Sequence, residues 1–391
     1  MDDVIVVGAG PTGLITALGL ARSGVRVRVI EAEPHIINSP RAAVYHWSVL
    51  DDIEKLGILD EAESSGFRKQ DYTYHVLRTG ERIPYSLEIL EGHARHPYNL
   101  HLGQHQLAEI ALRALRSLPN TSVDFNARVV QLDQGDDGVT VVSDGATGEQ
   151  AFQANWVVGA DGAGSTVRAL AGLTFDGMTW PERFVATNVF FDFERYGFAR
   201  TTQLIDGRHG AIIAKLNNDG LWRCTYMEEA TLPEETFLER LPEAFAAIIP
   251  GKNEYRIDRA APYRMHQRSA PRYRTGRVVL VGDAAHATNP TGGLGLTSGL
   301  FDSFALYPAL ASVVHGRRQE DLLDRYSESR RSIFLERVSP QASANKQLIY
   351  HANGGGERLE EALQGIRRLS TDAEYRLQRL MYTKTLATPP L

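Results

Sequence analysis

Cysteine is nearly missing from this chain: Cys224 is the single one among 391 residues. That excludes an intrachain disulfide framework, a cysteine-built metal site and a redox Cys-x-x-x-x-Cys pair. Positive charge is not in excess either. Lys and Arg number 42 against 48 Asp and Glu, a formal net charge of −6, so no basic field draws the chain to nucleic acid or to an anionic membrane. Long apolar runs are absent too, and no stretch approaches the roughly 18 uninterrupted apolar residues of a membrane span. The apolar start, residues 4–20, is broken by glycines and preceded by Asp2 and Asp3 rather than by basic residues, which argues against a secretory signal. The expectation is a cytoplasmic monomer or homodimer without a metal site. Its partner is a small molecule, not nucleic acid or a membrane.

What is present begins with a βαβ pattern. Val4-Ile5-Val6-Val7 is a continuous β-branched run, as in a strand buried on both faces of a parallel sheet. Residues 14–23 follow at helical spacing, then residues 25–30 as a second strand. Between strand and helix lies Gly8-Ala9-Gly10-Pro11-Thr12-Gly13, a G-x-G-x-x-G. Gly8 permits the tight turn, Gly10 lets backbone approach a pyrophosphate, and Gly13 lets helix and strand pack closely. The helix N-terminus offers N–H groups and partial positive charge to the phosphates. Glu31 ends the second strand, where a carboxylate can bind the hydroxyls of an adenosine ribose. This fingerprint by itself leaves NAD and FAD equally open.

Further buried strands are expected at residues 156–158 and 278–281. Alternating segments at 184–191, 211–216 and 221–226, separated by Asp, Asn and Gly, predict an antiparallel sheet in an inserted domain. After Phe301 the pattern is helical, with Gly354-Gly355-Gly356 as a break between helices. The expected division is a discontinuous dinucleotide-binding domain (1–70, 95–180, 269–310), a substrate domain (71–94, 181–268) and a helical region (311–391).

Two later motifs decide between the nucleotides. Gly159-Ala160-Asp161-Gly162-Ala163-Gly164-Ser165-Thr166-Val167-Arg168 follows one buried strand, and Gly282-Asp283-Ala284-Ala285-His286 follows the other. The second runs on into Asn289-Pro290-Thr291-Gly292-Gly293-Leu294-Gly295-Leu296-Thr297. With the fingerprint, these DG and GD motifs resemble the single-component (group A) flavoprotein aromatic hydroxylases, the family of para-hydroxybenzoate hydroxylase, over residues 3–335. The resemblance implies an α/β fold with a Rossmann-like FAD-binding domain of glutathione-reductase type, an inserted antiparallel-sheet domain and C-terminal helices. FAD is expected to bind non-covalently.

Asp283 can accept hydrogen bonds from a ribitol or ribose hydroxyl. Gly292, Gly293 and Gly295 let backbone lie against a flat ring before a helix from about Thr297 to Leu310. By resemblance the amides of Leu296 and Thr297 meet the flavin. Many relatives have G-M-N or G-L-N where this chain has Gly295-Leu296-Thr297; backbone contacts survive that exchange, an Asn side-chain contact does not. The resemblance also places Arg41 near the diphosphate and Gln104 beside the ribityl chain. Asp161 is expected to tie the DG turn to the first βαβ unit, and His286 to position the GD turn.

The implied activity is hydroxylation of a phenolic or hydroxypyridine-type ring through a flavin C4a-hydroperoxide. NADH or NADPH is a transient co-substrate, and O2 is the oxidant. No second G-x-G-x-x-G follows a strand, which agrees with transient nucleotide binding in a surface groove. Gly220-Leu221-Trp222-Arg223 does not match the G-W-x-W-x-I-P of flavin halogenases. The alternative is an FAD oxidoreductase of the same fold acting on a non-aromatic substrate, of epoxidase or polyprenyl reductase type. A phenol, with a pKa of about 10, needs a base, and the candidates are His46, Tyr226 and His266. Resemblance places Val44, Pro290 and Thr291 beside the substrate. Gln203, His209, Trp222 and Tyr226 lie on or beside strands of the inserted sheet and are expected to form the opposite wall.

Overall fold

The computed structural model describes residues 1–38, 44–146, 148–251, 254–352, 357–389 and 391. Arg41 and the Gly354-Gly355-Gly356 break lie outside them. The first sheet has the order Arg274–Thr275, Val278–Leu280, Gly148–Gly159, Asp2–Val7, Val27–Ile30, Thr121–Asp124. From Val278–Leu280 to Thr121–Asp124 the strands run parallel. An antiparallel hairpin, Ala127–Gly135 and Gly138–Gly145, pairs with the long strand Gly148–Gly159. Val4, Ile5, Val6, Val157 and Val158 are fully buried, as a sheet covered on both faces requires.

The helices Pro11–Arg22 and Leu294–Val314 pack against each other. Gly19 allows the close crossing, because a Cβ there would lie 2.4 Å from the Tyr307 ring. Both helices therefore start at the same edge of the sheet, beside the fingerprint and the GD turn. The second helix begins at Leu294, earlier than the expected Thr297, because Gly293 takes the left-handed φ of 70° as its N-cap and starts the turn there.

The second sheet has the order His286–Ala287, Arg256–Ser269, Asp176–Phe190, Leu221–Glu229, Ala211–Lys215, Thr201–Ile205, Asp71–Val76, Glu81–Ser86. Every pairing in it is antiparallel except Thr201–Ile205 with Asp71–Val76. One face packs on the helix Phe237–Ile248 through Leu241, Phe245 and Ile248. The other faces the edge of the first sheet. Strand periodicity assigns alternate residues to these two faces, and this alternation decides which side chains can reach a ligand.

The C-terminal helices Glu357–Thr371 and Ala373–Met381 close the open side of that face. Leu363, Ile366 and Leu369 pack with Val76, Ile83 and Ile205. Leu377, Leu380 and Met381 pack on Trp47, Tyr72, Leu87 and Leu90, and the Trp47 indole donates to the Leu380 carbonyl at 3.2 Å. Among the described residues no helix is long and apolar enough to cross a membrane. Nor does any group of three or more His, Cys, Asp or Glu side chains among them form a metal-binding cluster.

Candidate active site

A single cavity of about 1120 Å³ runs from the fingerprint turn, past the DG and GD turns, to the inner face of the second sheet. At its first end the three fingerprint glycines divide their tasks. A Cβ on Gly8, whose φ is 108°, would sit 2.4 Å from the Ala160 carbonyl oxygen, and one on Gly13 would sit 2.1 Å from the Gly8 oxygen. Both are demanded by the fold. A Cβ on Gly10 would meet nothing within 4 Å, so that glycine leaves open space in front of a helix N-terminus. Gly10 is the N-cap, Pro11 opens the helix, and no side chain caps it. The first-turn N–H groups thus have no intrahelical acceptor, which is the donor set a pyrophosphate takes.

Gly8, Gly10, Pro11, Thr12 and Glu31 line this end, whereas Gly13 is packed behind it. Glu31 accepts from the Ala9 amide at 2.6 Å and the Glu33 amide at 2.9 Å, so the turn itself orients the carboxylate. Gln104, Asp161 and Asp283 line the middle. Beyond them Gly292, Gly293, Leu294, Gly295 and Leu296 present the start of Leu294–Val314 to the cavity. Thr297 is not at the cavity. It is fully buried, and its amide and hydroxyl bond to the Gly293 carbonyl at 3.4 and 3.0 Å. The backbone donors available to a flat ring are therefore those of Leu294 to Leu296, one position earlier than the resemblance implies.

Asp161 acts differently from the expected tie to the first βαβ unit. Its carboxylate accepts from the Ser165 hydroxyl and, at 3.0 Å, from the Val167 amide, both inside its own turn. Burial raises its pKa against these hydrogen bonds. The tie is made by backbone instead: the Ala160 amide donates to the Val7 carbonyl at 2.8 Å. Arg168, last residue of the DG motif, joins DG to GD by donating to the Ala284 carbonyl at 2.9 Å and the Ala163 carbonyl at 2.8 Å.

Under the GD turn lies a buried ionic network. His286 Nε2 meets Asp302 Oδ2 at 2.7 Å, the Gly282 amide donates to the same oxygen at 2.9 Å, and Arg330 Nε donates to Oδ1 at 2.6 Å. Arg330 also donates to the Leu386 and Ser298 carbonyls at 2.6 and 3.1 Å. The His286, Asp302 and Arg330 side chains are all fully buried. Burial pushes the Asp302 carboxyl up, but His286 and Arg330 outweigh it and hold it below the ordinary carboxylate value. Asp302 and Arg330 were not legible as site residues, since each sits in a plain helical stretch far from the motif it supports.

The far end of the cavity is one face of the second sheet. Tyr72, Tyr74 and Tyr85 line it, with Thr201, Gln203 and Ile212, then Arg223 and Thr225. Tyr85 stacks between the other two tyrosines at centroid distances of 5.4 and 5.8 Å. Trp222 and Tyr226, expected on this wall, are one residue out of phase. They point to the opposite face, into the cluster with Cys224 and Phe245, at 1% and 4% exposure. The alternation Trp222-Arg223-Cys224-Thr225-Tyr226 carries the signal: its apolar members face the covering helix, its polar members face the cavity. His209 is also displaced, in the turn after Thr201–Ile205, where its amide donates to Asp206 at 2.8 Å. Tyr226 has a buried hydroxyl without a hydrogen-bond partner among the described residues. Tyr226→Phe is therefore expected to hold or raise stability by up to about 1 kcal/mol and to leave turnover unchanged, as thermal melts and steady-state rates would show.

Val44, His46 and Pro290 line the boundary between the two ends, while Thr291 is fully buried behind it. His46 Nε2 lies 2.8 Å from the Gly292 carbonyl. That contact assigns the proton to Nε2 and leaves Nδ1 as the acceptor; burial lowers the pKa, against this hydrogen bond. His266 also lines the cavity but belongs to its first half. Its Nδ1 is 2.9 Å from Thr179 Oγ1, and Arg268, Arg264 and Asp283 are its charged neighbours. Of the three candidate bases, only His46 stands at the boundary.

Comparisons with known proteins agree with this geometry. The family model described as an FAD binding domain matches residues 1–339. The 6-hydroxy-3-succinoylpyridine 3-monooxygenase of Pseudomonas putida is 44% identical over 386 residues, 98% of each chain. The para-nitrophenol 4-monooxygenase of a Pseudomonas species is 43% identical over 349 residues, 88% of this chain and 86% of that one. The crystal structure of p-nitrophenol 4-monooxygenase from Pseudomonas putida DLL-E4 superposes with a TM-score of 0.96 at 38% identity, covering 100% of this chain and 99% of the other.

Proposed function

The chain belongs to the FAD-binding family of flavin-dependent monooxygenases, and we propose that it hydroxylates a substituted phenol or hydroxypyridine with NADH or NADPH and O2. The observation that carries this reading is the continuity of the cavity, which joins three phosphate- and flavin-type turns to an aromatic-lined sheet face. When bound, FAD supplies hydride acceptance from the nicotinamide and oxygen activation for transfer to the ring. The open space at Gly10 and the uncapped helix starting at Pro11 would hold its pyrophosphate. The amides of Leu294 to Leu296 would stabilise negative charge on its ring system.

The chain's own chemistry is then to orient the substrate, exclude water and move one proton. Stacked Tyr72, Tyr74 and Tyr85 form a flat apolar wall against which an aromatic ring can lie. The helices Glu357–Thr371 and Ala373–Met381 cover that end from solvent. His46 takes the proton of the substrate hydroxyl at Nδ1, because Nε2 is committed to the Gly292 carbonyl. The protein acts in the cytoplasm as a monomer or homodimer.

The reading is tested by NAD(P)H oxidation with a panel of phenols and hydroxypyridines, followed by product identification. Stimulation with an oxygenated product supports it; no stimulation and no such product from any member overturns it. The role of His46 has its own signature. Burial lowers its pKa, so it is neutral and able to accept a proton down to below the ordinary value of 6.5. The acid limb of kcat/KM should therefore lie below that value. His46→Gln should remove the limb and lower hydroxylation about 100-fold, with FAD content unchanged and more hydrogen peroxide released. A limb that persists in the variant contradicts the assignment.

A further inference from the structure

The charges lining the cavity are sorted by end. Among the described residues its carboxylates are Glu31, Glu33, Asp161 and Asp283, all in or beside the fingerprint, DG and GD turns. The tyrosine-lined end holds none. The cavity's arginines are Arg128, Arg223, Arg264 and Arg379, and of these Arg379 is the electrostatic neighbour of Tyr74 and Tyr85. Arg223 is held by Asn188 Oδ1, with Nε and Nη2 both at 3.0 Å, and burial lowers its pKa only to about 10, so it stays a cation. Arg379 comes from the last long helix, Ala373–Met381, and forms no ion pair with any carboxylate among the described residues.

The neighbours of Arg379 at the cavity are neutral hydrogen-bonding groups, the Tyr74 and Tyr85 phenols and the Gln203 amide beside them. Burial raises the pKa of the Tyr74 and Tyr85 phenols against the nearby guanidinium and the Gln203 amide, so both hydroxyls keep their protons at neutral pH. The helix is fixed by Leu377, Leu380 and Met381 against Trp47, Tyr72 and Leu90, which leaves Arg379 exposed at the cavity edge. The match to the family model stops at residue 339, so Arg379 is supplied by chain beyond it.

From this we propose that Arg379, with Tyr74, Tyr85 and Gln203, forms a subsite for a planar two-oxygen substituent, carboxylate or nitro, at the end of the substrate ring remote from the flavin turns. A guanidinium presents paired N–H donors that match two coplanar oxygens, and the phenols and amide can satisfy their remaining lone pairs. Filling the tyrosine end with the ring would exclude water from the pair and strengthen it. The proposal rests on the aromatic-substrate reading above and narrows it to rings that carry such a group.

The test compares wild type, Arg379→Met and Arg379→Lys, each loaded with FAD, on para-nitrophenol, para-hydroxybenzoate and para-cresol. The expected result is a drop of about tenfold or more in kcat/KM for the nitro and carboxylate compounds relative to para-cresol in Arg379→Met. Arg379→Lys should recover part of it. A larger loss for the carboxylate than for the nitro compound would identify the carboxylate as the substituent held by charge. Dissociation constants from the change in flavin absorbance on titration should follow the same order. An Arg379→Met selectivity ratio within about twofold of wild type, in turnover or in binding, overturns the proposal. If the wild type hydroxylates none of the three, the binding ratios still decide the subsite, and the wider panel of phenols and hydroxypyridines decides the hydroxylation reading separately.

Discussion

Gly10→Val is expected to give a folded, colourless protein. The other two fingerprint glycines cannot separate folding from cofactor binding, since a Cβ on Gly8 or Gly13 would collide with backbone oxygen at 2.4 or 2.1 Å. At Gly10 a Cβ has no neighbour within 4 Å, so the substituted apo protein has no new contact to relieve. The space it fills is the space in front of the uncapped helix start, where a pyrophosphate must come close to backbone. The melting temperature of the apo protein should change by no more than about 3 °C, and FAD affinity should fall about 100-fold or more, ~3 kcal/mol. Gly13→Val should instead lower the yield of folded protein. Normal flavin content in Gly10→Val would show that the cofactor's phosphates lie elsewhere.

The second large effect concerns charge beneath the GD turn. Asp302→Asn leaves the Arg330 guanidinium fully buried without its carboxylate, and breaking such a pair costs about 3–5 kcal/mol. The melting temperature should fall by roughly 5 °C. FAD affinity should weaken as well, because Asp302 also receives the Gly282 amide of the turn that carries Asp283. The pH dependence has a definite sign. A carboxylate whose folded-state pKa is depressed contributes stability above its unfolded value, about 3.9, and that contribution is lost as pH falls through the folded value. The stability gap between wild type and Asp302→Asn should hold from neutral pH to about 5 and close only in stronger acid. Denaturant unfolding across that range checks it, and a gap that closes already near pH 6 would place the ionic network wrongly.

The cofactor half of the molecule is legible in the sequence because each of its turns is contiguous and its roles are mostly those of backbone. A G-x-G-x-x-G can be read without knowing what packs against it. Even there the reading slipped where side chains decide: Asp161 caps its own turn, and Arg168 joins DG to GD. The substrate half is assembled from separated strands, and one residue of phase exchanges its whole lining. Trp222 and Tyr226 give way to Arg223 and Thr225 on the cavity face. The apolar character of the two aromatics sends them to the face covered by Phe237–Ile248 instead. His209 falls in a turn because its strand ends at Ile205. Arg379 had no local signal at all. Its helix carries no motif, and only the packing of Leu380 under Trp47 brings it to the cavity.

The central claim is that one cavity unites a flavin with an aromatic ring and passes an oxygen atom between them. Turnover under 18O2 with NAD(P)H and a para-substituted phenol or hydroxypyridine tests it most directly, with mass spectrometry of the product. The account predicts one labelled oxygen atom in each molecule of hydroxylated ring and none acquired from labelled water. NAD(P)H oxidation that leaves every ring in the panel unlabelled would contradict it, and would point to an oxidoreductase of this fold acting on another class of substrate.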